Sequence, residues 1–122
     1  MTGNTWEHRL DGAQSVDEVV AAARDFLARL DPQEIMTLPA KCRPPPKIVD
    51  SDDIGMYAYD LVRYECDDRA AAELVHRLAH FFSHASMQIG RVLALERAAR
   101  LAHRDALDEA SARGTRAVSQ ER

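Results

Sequence analysis

The sequence is poor in the features that usually give away a function. It has two cysteines, Cys42 and Cys66. That is too few for a disulfide framework or a four-cysteine zinc site, and in a cytoplasmic protein both are expected reduced. No glycine-rich phosphate loop and no Gly-x-Ser-x-Gly elbow occurs, so nucleotide cradling and serine-hydrolase chemistry have no anchor. Positive charge is not in excess. Twenty Asp and Glu against sixteen Lys and Arg leave a net charge of −4, which argues against wholesale nucleic-acid binding. Long apolar runs are missing too. The least charged stretch, residues 78–89, is too short and too polar to span a bilayer. Trp6-Glu7-His8-Arg9 interrupts the N-terminus where a signal peptide would need its apolar block. The expectation is a cytoplasmic protein with no membrane contact. Arginine far outnumbers lysine and alanine is abundant, as in a GC-rich bacterial coding sequence.

Proline is confined to residues 32–46, and the second half of the chain is organised around a helix. Asp67 to Arg113 has no proline and one glycine, Gly90, and is rich in strong helix formers. Ala71, Leu74, Val75, Leu78, Phe81, Phe82, Ala85, Ile89, Val92 and Leu95 keep the three-or-four spacing of one helical stripe. Unbroken, this helix would be roughly 65 Å long, against about 28 Å for a compact domain of this size. It is expected to bend near Gly90 or to protrude. Past Leu95 the same line runs through Glu96, Ala99, His103 and Leu107, too polar for a globular core. Gly114 is the expected C-cap, with 114–122 a disordered tail.

Before that stretch the signals are those of a helical bundle. Residues 1–14 show no period and read as a mobile lead-in, with Trp6 able to fold back on a groove edge. Ser15-Val16-Asp17-Glu18 is a capping box, and Val16, Val19, Val20, Ala23, Phe26, Leu27 and Leu30 form the stripe of a helix from Val16 to Leu30. Asp31-Pro32 starts a further turn that must end by Leu38, since Pro39 follows. Ile35, Met36 and Leu38 are expected to plug one end of the core. Residues 39–50 are a proline-rich connector. Within it Arg43-Pro44-Pro45-Pro46-Lys47 has the look of a ligand for an aromatic-lined groove, but a stiff spacer between helices is the favoured reading. Asp50-Ser51-Asp52-Asp53 opens another helix, in which Ile54, Tyr57, Ala58, Leu61, Val62 and Glu65 share a face with Tyr57 and Leu61 as its core, and Tyr59 and Tyr64 fall at the sides. The three carboxylates suit the helix dipole and lack the ligand set of a calcium loop. That helix ends near Cys66, and Asp67-Asp68 caps the long one, so the two are expected as an antiparallel hairpin. The fold class is all-α: one small helical bundle over residues 15–113.

One constellation resembles chemistry. His76, His80 and His84 recur every four residues, with Glu73 three before the first. Neighbouring imidazoles at this spacing can share zinc or another transition metal, and Glu-x-x-His occurs in di-iron bundles. But 100° per residue puts all four opposite Leu78 and the buried stripe. No second Glu-x-x-His exists, and Arg77 stands where a zinc-protease helix has Glu. Ser83 beside these histidines has no oxyanion hole. The expected reading is a polar outer face and no cofactor.

Function is therefore expected from surface rather than chemistry. Helices of about 15 residues can cover only the first half of the long helix. Leu93, Leu95, Ala99, Leu101, Ala102 and Leu107 then await a protein partner, a second copy in a homodimer being the simplest. The leading expectation is a non-catalytic interaction or assembly module. The alternative is a metal-binding helical protein using Glu73, His76, His80 and His84. A DNA-binding regulator using Arg97, Arg100 and Arg104 is the weakest, because Glu96, Asp105, Asp108 and Glu109 lie among them.

Overall fold

The computed structural model describes the backbone of residues 3–63 and 71–120 and the side chains of 5–63 and 71–112. Among these residues helix is the only regular secondary structure, and there are no strands. In order come α1 (Gly3–Asp11), α2 (Val16–Ala28), α3 (Pro32–Met36), a 3-10 turn (Ala40–Cys42), α4 (Ser51–Arg63) and α5 (Ala72–Gln120). Two compact units divide the chain, residues 1–92 and residues 93–122. No helix among the described residues is long and apolar enough to cross a membrane.

The local signals act much as their chemistry requires. Ser15 Oγ accepts from the Glu18 amide at 3.2 Å. Glu18 reaches back one residue further than a capping box requires, its carboxylate accepting from the Gln14 amide at 2.6 Å. Asp31 caps Gln33 at 2.9 Å, with Pro32 at the first helical position. The acidic cluster at α4 serves the backbone. Asp50 accepts from the amides of Asp52 and Asp53, and Asp53 Oδ2 accepts from the Val49 amide at 2.7 Å. These carboxylates hold orphan donors of the first turn.

The core of the first unit is built from the predicted stripes. Val19, Val20, Ala23 and Phe26 of α2 are buried, as are Ile54, Tyr57, Ala58 and Leu61 of α4 and Leu74, Val75, Leu78, Phe81, Phe82, Ala85 and Ile89 of α5. Four aromatic rings form its centre. Phe26 stacks on Phe81 at 4.0 Å between centroids, and Tyr57 meets Phe82 edge-on at 4.8 Å. Tyr57 also donates from its hydroxyl to the Cys42 carbonyl at 2.7 Å, tying α4 to the 3-10 turn.

Several expectations are corrected. Residues 3–11 are not an aperiodic lead-in but a helix, with Leu10 1 % exposed. Trp6, Leu10 and Ala13 have helical spacing, and the polar residues between them mask it. Met36 is 64 % exposed and does not plug the core, and Leu38 alone of its group is buried; Val62, on the shared face of α4, is 70 % exposed, while Tyr57 and Leu61 are buried as expected. Cys42 is buried and disulfide-bonded rather than reduced; Cys66 lies outside the described residues. So do Tyr64, Asp67-Asp68 and the expected tight hairpin between α4 and α5. Helix α5 continues through Gly90 and past Gly114, the residue expected to cap it, as far as Gln120.

The connector is held by arginines. Arg24 of α2 donates to the carbonyls of Ile48 and Val49, at 2.6 and 3.2 Å. Arg43 turns back and donates to Leu38 and Met36 carbonyls, at 3.0 and 3.4 Å. Pro44 and Pro45 are half-buried, Pro46 and Lys47 exposed. Together the three prolines line a cleft with Leu27, Ile35 and Ile48.

Candidate functional site

Two surfaces of α5 carry the residues singled out by sequence. The first is the histidine ladder, in the first unit. Glu73 and His76 are exposed. His76 and His80 lie nearly parallel, 6.5 Å between ring centroids, and His80 and His84 are 6.4 Å apart and tilted by 45°. The ladder is not a bare outer face, because α1 lies against it. His80 Nε2 is 2.6 Å from Glu7 Oε1, and His84 Nε2 is 2.8 Å from Asp11 Oδ1. In each pair the imidazole N–H donates and the carboxylate accepts.

Glu7 and Asp11 are the residues that sequence reading misses. They stand four apart on α1, as His80 and His84 do on α5, so the two helices present matching turns. That match is available from spacing alone, once residues 3–11 are read as helical. These are exposed or half-exposed pairs, worth at most about 1 kcal/mol each. They orient α1 more than they stabilise it.

The packing of α1 supplies the larger share. Trp6 meets Phe26 and Phe81 edge-on, at 5.3 and 5.7 Å between centroids. Arg9 and Arg29 place their guanidinium carbons 5.7 and 5.2 Å from the centre of the same ring. Arg9 also pairs with Asp25 of α2 at 2.7 Å. At the far end the buried Gln88 donates to the Ala13 carbonyl at 3.1 Å, satisfying both groups. Among the described residues no three His, Cys, Asp or Glu side chains come together as metal ligands. Two of the four candidate ligands, His80 and His84, are instead directed at carboxylates of α1, each in a separate pair.

The second surface is the distal half of α5. Every described side chain from Leu93 to Ala112 is exposed. Leu93 is 46 %, Leu95 70 %, Leu101 49 % and Leu107 57 % exposed, and Ala99 and Ala102 are exposed beside them. A finer pattern runs through the helix. Ala71, Leu74, Leu78, Phe81, Ala85, Gln88 and Val92 alternate steps of three and four, and all are buried. The same alternation continues without a slip through Leu95, Ala99, Ala102 and Ala106. This is the seven-residue repeat of a coiled-coil seam. Alanine at successive seam positions lets two helices approach closely. Arg97, Arg100 and Arg104 are exposed on this half, interspersed with exposed Glu96, Asp105, Asp108 and Glu109, so the surface carries mixed charge.

Chemically, neither surface holds an arranged nucleophile or a convergent ligand set among the described residues. One is a polar clasp on an aromatic cluster, and the other is a helix face with the repeat of a pairing seam. No protein-family model matches this chain, and no curated protein and no solved structure is significantly similar to it.

Proposed function

We propose that this protein is an assembly module that pairs with a second copy of itself along the distal half of α5. The observation that carries the reading is the seam: a repeat buried as far as Val92 continues in register into Leu95, Ala99, Ala102 and Ala106, where every side chain is exposed. A lone amphipathic helix in water gains little from propensity, since nucleation is costly and the apolar face stays wet. Pairing removes that face from water, at roughly 25 cal/mol for each Å² buried. The flanks suit self-pairing. Arg91 borders one side of the seam and Glu96 the other, so a partner with the same sequence offers an opposite charge there.

Circular dichroism over a range of concentrations tests the reading. The distal half becomes more completely helical on pairing, so mean helicity rises from micromolar to hundreds of micromolar protein. A spectrum independent of concentration, in a protein that remains monomeric, contradicts it. No specific observation favours a metal-dependent function.

A further inference from the structure

A cavity of about 120 Å³ lies between α1, α2 and α5, within the first unit. Its use goes beyond the self-pairing reading and does not depend on it. The deep walls are Leu10, Phe26 and Phe81, all buried. Trp6 is half-buried beside them. Glu7 and His84, half-buried, and Arg77 and His80, exposed, complete the lining and mark the side open to water.

We infer that this cavity binds a neutral, single-ring aromatic molecule bearing one hydroxyl group, of which phenol is the simplest. Size sets the first limit. An apolar cavity of about 150 Å³ accepts benzene in an engineered protein, so this slightly smaller one fits one six-membered ring and not two fused rings. The walls set the second. Trp6, Phe26 and Phe81 already meet in stacked and edge-on geometries, and an additional ring continues that arrangement, with its edge against a neighbour's face.

Charge at the mouth sets the third limit. Arg77 is paired with Glu34 at 3.2 Å, His80 with Glu7 and His84 with Asp11. Each ionisable group that lines the cavity thus has a partner, and an ion entering would have to break one of these pairs and leave its water behind. A hydroxyl needs no such exchange. The Glu7 carboxylate accepts one hydrogen bond from His80, and a carboxylate has capacity for several. A phenolic O–H at the mouth donates to it while the ring stays in the apolar part.

Trp6 is the sole tryptophan, so its indole N–H signal in a nitrogen–proton correlation spectrum reports on the wall of this cavity alone. Phenol should move that signal saturably, with a dissociation constant of about 1 mM or tighter, as expected for a ligand of this few heavy atoms. Benzene should bind severalfold more weakly, and 2-naphthol should give no saturable shift. His80→Phe, at an exposed position, places a ring in the mouth and should weaken phenol binding by roughly tenfold, with the fold checked by circular dichroism. The inference is overturned by any of four results: no saturation by phenol at tens of millimolar, benzene binding as tightly, 2-naphthol binding as tightly, or undiminished binding in a folded His80→Phe protein.

Discussion

Tyr57 joins the core to the connector. Its ring packs on Phe82 and its hydroxyl donates to the Cys42 carbonyl. Burial raises its pKa well above the usual tyrosine range, and the Asp60 charge adds to the rise. Folding therefore favours the protonated form. Its contribution is complete below the unfolded value near 10, and it is lost as pH climbs from there towards the folded value. The urea midpoint should fall above about pH 10. Tyr57→Phe should remove part of that alkaline loss. At neutral pH it should cost about 0.5–1.5 kcal/mol, the net worth of one hydrogen bond, here the one from the Tyr57 hydroxyl to the Cys42 carbonyl. Urea titrations of both proteins at neutral and alkaline pH check the two effects together; an unchanged neutral-pH midpoint would show that water replaces the hydroxyl.

At the scale of elements, helix α5 is where propensity and packing disagree. Gly90 lies inside it, is exposed, and has no atom within 4 Å of where a Cβ would sit. Gly90→Ala should therefore stabilise the protein by about 0.5–1 kcal/mol, the ordinary helix-propensity gain. A thermal melt that shows a loss would mean that the glycine is needed for a bend in solution. The elements also differ in how plainly the sequence announces them. Helix α2, helix α4 and the first half of α5 are legible because each buries one strong stripe. Helix α1 is not, since among its described side chains only Leu10 is buried, with Trp6 half-buried, and both are scattered among polar residues. With α1 unseen, the histidine ladder has no partner, and Glu73, His76, His80 and His84 invite a metal. The spacing of the ladder is real; the Glu7 and Asp11 carboxylates lie some seventy residues away, where no local pattern points. The state of Cys42 is hidden too, since no local pattern around it marks a disulfide.

Across the whole molecule, the chain divides by where its apolar side chains go. Residues 1–92 hold the buried core, and residues 93–122 hold a helix with the seam repeat and no buried described side chain. Self-pairing along that seam is the central claim, and sedimentation equilibrium of the full chain tests it most directly, comparing the wild type with Ala102→Glu. Ala102 is exposed, so a carboxylate there is harmless to a monomer, but across a closely packed pair it brings two like charges together without water. Self-pairing predicts a dimer mass for the wild type at tens of micromolar and a monomer mass, with unchanged thermal stability at low concentration, for the variant. A wild type that sediments as a monomer throughout, or a dimer indifferent to Ala102→Glu, would contradict it.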